Sequence, residues 1–101
     1  MRVHVQSVNF NVDDKLVNFI ETKVDNLEKF YDRIIDAEVF LKVQNTSEKE
    51  NKIAEIKVNI PGDELIVKKQ CKSFEQCVDL ATVALKRQLR KKKEKQRAHL
   101  S

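Results

Sequence analysis

The segment LKRQLRKKKEKQR, residues 85 to 97, holds eight basic side chains and one acid, Glu94. Lysine and arginine at that density do one kind of chemistry well: they neutralise a polyanion, because each phosphate contacted releases a condensed counterion. The other candidate groups offer less. Cys71 and Cys77 are the only cysteines and have no histidine nearby, so the four ligands of a zinc site are missing. Cys77 falls on an apolar helical stripe, and a buried, reduced thiol is expected there. His4 lies on the polar side of an alternating stretch and His99 in the tail, so no Cys–His or Ser–His–Asp arrangement follows from spacing. One glycine cannot build a glycine-rich phosphate loop. The acids are scattered, with Asp25–Lys29 an expected ion pair on a helix. No enzymatic activity, metal, cofactor or small-molecule substrate is expected.

The charge is unevenly spread. The chain has 101 residues, 20 Lys and Arg, 16 Asp and Glu, and a net charge of +4. Residues 86 to 97 contribute +7 of it, leaving −3 for the rest. Such a split suits a polyanionic partner, nucleic acid first and an anionic membrane surface second. It also suits a solvated helix end whose cations complement the macrodipole. The length fits a single domain over residues 1–101, and 41% hydrophobic with 36% charged residues fits one core under a heavily solvated surface. No apolar run is long enough to cross a bilayer, and MRVHVQSVNF lacks the apolar region of a signal peptide. A cytoplasmic location is expected.

The elements that must position the basic run can be read from period. RVHVQS alternates as a half-buried strand. Asn11 is the expected N-cap of a helix with Asp13 and Asp14 in its first turn and apolar residues at Leu16, Phe19, Ile20, Val24, Leu27, Phe30 and Tyr31, about four to five turns long. Ala37, Val39, Leu41 and Val43 mark a second strand that ends in the polar, flexible loop NTSEKEN. Ala54, Ile56, Val58 and Ile60 mark a third, Pro61-Gly62 a type II turn, and Leu65 and Val67 the inward side of a fourth. Ser73 and Gln76 form a capping-box signature for a helix from Phe74 to about residue 97, with a short tail at 98–101. The order β-α-β-β-β-α makes an α+β two-layer sandwich: a four-stranded sheet with two helices on one face. The first two strands are joined through a helix, so they should be parallel, and the later ones should form hairpins.

Phe74, Cys77, Val78, Ala81, Leu85 and Leu89 form the core stripe of the last helix. Lys86, Arg90, Lys93 and Arg97 line up on the opposite side, flanked by Arg87 and Lys91. The helix should be about 36 Å long, against about 24 Å for a seven-residue strand, so its final turns should overhang the sheet. Like charges at this spacing repel by about a few tenths of a kcal/mol per pair, and a polyanion would turn that repulsion into attraction. Lys23 lies at the centre of the first helix's apolar arc, where a snorkelling stem or an RNA contact would explain it. Lys29 and Arg33 could join it in one basic patch, or serve as partners of the helix dipole.

An RNA-recognition motif would need stacking aromatics on central strands, and the outer sheet face offers only Phe40. Two helices with basic ends on one sheet face are closer to a double-stranded-RNA-binding domain, which reads shape and backbone. Structured RNA is therefore favoured over DNA. A general structured-RNA binder and a protein-interaction module with a basic docking helix are both open on these features.

Three stretches, KVDNLEKFYDRI, AEVFLKV and FEQCVDLATVALKRQLRKKKEK, carry a resemblance to the short ribosome hibernation-promoting factor and ribosome-associated inhibitor A family, the sigma-54 modulation proteins. It runs from the first strand to about residue 97. The resemblance implies binding to the small ribosomal subunit between head and body, over the mRNA and the A- and P-site tRNA positions, silencing translation under stress or in stationary phase. It implies contacts to 16S rRNA backbone from Lys23, Lys29 and Arg33 and from Lys86, Arg87, Arg90, Lys91 and Lys93, and a monomer off the ribosome. Longer members append a linker and a dimerising domain. This chain ends at Ser101, and the expectation is that it does not pair ribosomes by itself. Ser7 stands where the family commonly has glycine, SFEQCVD differs from the usual start of the last helix, and residues 68 to 72 are more basic than usual.

Overall fold

The structure, a computed structural model, describes every residue except 9, 45, 46, 48 and 101, with 96–100 as helix backbone only. Strand β1 (Arg2–Val8) leads into helix α1 (Asp14–Asp25) and a 3-10 helix (Asn26–Lys29). Strands β2 (Asp36–Val43), β3 (Lys52–Ile60) and β4 (Asp63–Cys71) follow, then helix α2 (Phe74–Leu100). The sheet order is β1-β2-β3-β4, with β1 parallel to β2 and the other pairs antiparallel. This is the expected two-layer arrangement, with the expected parallel crossover. The loop expected at 45–51 lies partly outside the described residues.

Alternation sends one face of each strand into the core. Ala37, Val39, Leu41, Ala54, Ile56, Val58, Leu65 and Val67 are buried beneath Ile20, Val24, Leu27, Val78, Ala81, Leu85 and Leu89 of the helical layer. On the outer face Lys57 reaches Glu64 at 3.2 Å and Glu38 at 3.6 Å. Phe40 is half-buried there, in register between Gln6 and Glu55.

Three local boundaries differ from the sequence reading, one of them the end of α2, which runs to Leu100 where a tail was expected from residue 98. The N-cap of α1 is Asp13 rather than Asn11: its carboxylate accepts the Leu16 amide at 2.7 Å from an extended backbone, the geometry that satisfies an orphan N–H. The helix also stops at Asp25, whereas the apolar pattern predicts one run to Tyr31. Asp25 and Asn26 are weak helix formers. The chain tightens at Asn26–Lys29 into the 3-10 form, whose three-residue turn brings Leu27 and Phe30 onto one side. Asp25 also meets the Met1 ammonium, at 3.4 Å, in place of the expected Lys29.

Other junctions follow the local chemistry. Ser7 donates its hydroxyl to the Phe10 carbonyl at 2.6 Å, which holds the β1–α1 connection closed. Phe10 stacks on Phe74 with ring centroids 5.2 Å apart. Gly62 takes φ +78 in the β3–β4 turn, as the third position of a type II turn demands. Ser73 accepts the Gln76 amide at 3.2 Å, and α2 starts there as the capping signature predicts.

Candidate nucleic-acid interface

The two helices lie side by side on the sheet and leave a groove between them, lined by Lys23, Asn26 and Phe30 from one side and Asp79, Thr82 and Lys86 from the other. The core stripe of α2 sets its rotation: Leu85 and Leu89 are fully buried. Lys86, one residue beyond Leu85, is thereby placed on the flank facing the 3-10 helix. Its Nζ sits 4.3 Å from the centre of the Phe30 ring, and the Arg90 guanidinium carbon lies 5.1 Å from the same ring. A negative ring face attracts both cations and holds together two like charges that would otherwise separate.

The ridge thus begins on the α1 flank of α2, and not straight opposite the core as the helical wheel suggests. Phe30, which caps the 3-10 helix, is half-buried on that flank and meets Lys86 there. Arg90 and Lys93 continue the ridge and are exposed, as are Arg87 and Lys91 beside it. The side chain of Arg97, its expected last member, lies outside the described residues.

Lys23 is 44% exposed, and its amine has left the apolar arc. Its Nζ pairs with Asp79 at 3.2 Å and lies 5.6 Å from the Phe19 ring centre. The stem packs and the charge reaches the groove rim, as a snorkelling lysine does. Lys29 in the 3-10 helix and Arg33 in the turn before β2 are both exposed. The structure therefore brings Lys23 and Lys86 together on one groove, with Arg90 on the Phe30 ring beside it and Lys29 adjoining as the neighbour of Phe30. Among the described residues, Lys29, Arg33, Lys86, Arg87, Arg90, Lys91 and Lys93 make no ion pair with a carboxylate.

Three residues acquire roles that the sequence reading does not assign. Phe30, read as core, is a half-buried platform for two cations. Asp79 occupies the groove, and its signal was its place seven residues before Lys86 on the same helical flank. Lys92 continues the Leu85–Leu89 stripe by three residues and pairs with Asp63 beside the β3–β4 turn, so it ties the helix to the sheet instead of joining the ridge. Beyond Lys92 the helix runs eight residues further to Leu100, about 12 Å.

Cys71 and Cys77 are both free and buried. The Cys77 thiol donates to the Lys52 carbonyl at 3.2 Å. Burial, helped by hydrogen bonding with Cys71, pushes its pKa up to about 12, which makes it a poor nucleophile. No helix among the described residues is long and apolar enough to cross a membrane.

Comparison with known proteins agrees with this architecture. The ribosome hibernation promotion factor of Bacillus subtilis is 31% identical over 97 residues, which cover 94% of this chain and 50% of that protein. The ribosome hibernation promoting factor of Azotobacter vinelandii is 30% identical, over 95% of this chain and 86% of its own length. The chain thus spans half of the first relative and most of the second. A ribosomal subunit interface protein from Coxiella burnetii superposes with a TM-score of 0.81 at 21% identity, covering 93% of this chain and 99% of that one. The Thermus thermophilus Protein Y N-terminal domain superposes at 0.78 and 24% identity, over 90% of this chain and 98% of its own. Residues 3–97 match the sigma 54 modulation protein / S30EA ribosomal protein family, a span that takes in the sheet except Arg2, all of α1 and α2 as far as Arg97, and the chain belongs to this family.

Proposed function

We propose that this chain is a ribosome hibernation factor: a single ribosome-binding domain over residues 1–101 that binds the small ribosomal subunit through 16S rRNA backbone. It covers the mRNA and tRNA positions and silences translation under stress or in stationary phase. It works by occupancy rather than catalysis, in the cytoplasm, and is a monomer off the ribosome. The observation that carries this reading is the row Lys86, Arg87, Arg90, Lys91 and Lys93 along α2, which makes no ion pair with a carboxylate among the described residues, with Lys86 and Arg90 held on Phe30. Relatives that bear the hibernation-factor name support it. Lys23, Lys29, Arg33, Lys86, Arg87, Arg90, Lys91 and Lys93 are the proposed contacts. A backbone reader needs cations at phosphate spacing and no base-stacking platform, and the sheet's outer face, alternating acids with lysines around Phe40, is poorly suited to stacking bases.

Co-sedimentation with purified 30S subunits across a salt series tests the proposal. Binding should weaken linearly in log–log form as phosphate contacts are screened, and the double variant Arg90→Glu, Lys93→Glu should not bind. Absence of co-sedimentation at low salt, or full binding by the reversed variant, would overturn it. An unrelated RNA duplex that competes as well as 30S subunits would reduce the protein to a general RNA binder.

A further inference from the structure

We infer that the groove between the 3-10 helix and α2 seats one RNA backbone phosphate, and that Asp79 holds this seat as a resident anion until RNA displaces it. The inference rests on the RNA-backbone reading above.

Asp79 lies on the ridge flank of α2, with Val83 one turn on and Lys86 two turns on, so an RNA strand that follows Arg90 and Lys86 toward the start of the helix arrives at this carboxylate. An acid in the path of a phosphate backbone is unfavourable unless it does something else there. Here it does: it holds the Lys23 ammonium at 3.2 Å, across the groove from Lys86. The pair is easily exchanged, because Asp79 is 51% and Lys23 44% exposed, and exposed ion pairs are weak. Packing against Phe19 keeps Lys23 at the rim when the carboxylate leaves. The groove, about 310 Å³, has room for a phosphate and its waters, and Asn26 lines it as a neutral hydrogen-bonding group. The hydroxyl of Thr82 is already committed to the Asp79 carbonyl at 3.0 Å, which leaves the two lysines as the principal anion ligands.

This arrangement has a definite signature in salt dependence. The Asp79 carboxylate stays beside the site when the phosphate enters and offsets the charge of one of the two lysines, so this contact adds little to the net counterion release. Asp79→Asn removes that cancellation. The binding slope against log salt should steepen by up to about 0.9, equivalent to an advantage that shrinks about three- to fourfold between 50 and 200 mM salt.

The test measures affinity and salt slope for a short RNA duplex and for 30S subunits, using the wild-type chain, Asp79→Asn, Lys23→Gln, the double variant and the charge control Glu75→Gln. Asp79→Asn should bind both ligands several-fold more tightly at low salt, with the steeper slope. The steepening should vanish in the Lys23→Gln background, where no lysine is freed, and Glu75→Gln should not reproduce it. An equal effect of Glu75→Gln, or a steepening that survives without Lys23, would reduce it to net charge and overturn the inference. Unchanged or weaker binding by Asp79→Asn to both ligands would also overturn it. If the wild type prefers the duplex while Asp79→Asn still tightens it, the ribosomal assignment fails and the phosphate seat stands.

Discussion

Lys92 Nζ lies 2.5 Å from Asp63 Oδ2, joining positions 29 residues apart in the chain and fastening the far part of α2 to the tip of the β3–β4 hairpin. The hydrogen bond from Lys92, followed by that from the Glu64 amide, holds the Asp63 carboxyl below its ordinary value of 3.8. A lowered folded-state pKa stabilises the fold above the unfolded value, and this contribution is lost as pH falls through the folded one. Lys92→Gln should therefore flatten the acid limb of stability below about pH 4. Urea titrations at stepped pH would show it, and an unaltered acid limb would contradict it. The same variant should leave the RNA salt slope unchanged, whereas Lys93→Gln should reduce it.

Phe30 is the contact through which α1's extension organises α2. Phe30→Leu keeps an apolar side chain in place and removes the ring face. Phe30 holds Lys86 and Arg90 in place before RNA arrives; ordering a rotamer-rich side chain on binding costs about 0.5–1.5 kcal/mol, so with both released, affinity for 30S subunits should fall about fivefold or more. A small drop in melting temperature should accompany it. A large loss of stability with unchanged affinity per folded molecule would assign Phe30 to packing alone.

Among the described residues, Leu89 is the last fully buried one of α2. Leu89→Ala should cost about 2–5 kcal/mol, as for other core truncations, measurable by urea denaturation. Amides of the helix after residue 89 should lose exchange protection before those over the sheet. Uniform loss of protection along α2 would show that the distal turns are held by other means.

Cys77 gives a readout at alkaline pH. Its raised folded-state pKa, about 12, means that the fold favours the neutral thiol, so stability declines as pH rises above the ordinary value of 9.0. Cys77→Ala should remove this decline. Native protein at neutral pH should react with a thiol reagent no faster than it opens, and immediate reaction of two thiols would show that neither is shielded.

The layer structure was legible because its determinants are periodic. Two-residue alternation marks each strand, and a stripe from Phe74 to Leu89 marks the last helix. The end of α1 was not legible, because Leu27, Phe30 and Tyr31 suit both a continued α-helix and a 3-10 turn, and the difference lies in how the following strand is reached. The basic residues were visible as types, but their flank was not. What Lys86 meets on its flank is Phe30, which caps a 3-10 helix that the apolar pattern does not distinguish from more α-helix. Asp79 and Lys92 were ordinary charges in the sequence until partners from other elements appeared beside them. Sequence showed which charges exist; packing decided which of them are already spent on the protein itself.

The body measures 52 × 24 × 19 Å, and +7 of its charge is concentrated in residues 86–97 against −3 elsewhere. A long body with such a separation has a large dipole moment, and the field of a polyanion exerts a torque on it before contact. Encounters should begin already aligned, with the α2 end leading, which raises the association rate above that of a uniformly charged protein. Added salt shortens the reach of that torque to about a Debye length, near 8 Å at physiological ionic strength. The rate of arrival, and not only the tightness of the final contact, is thus set by which end of the molecule carries the lysines.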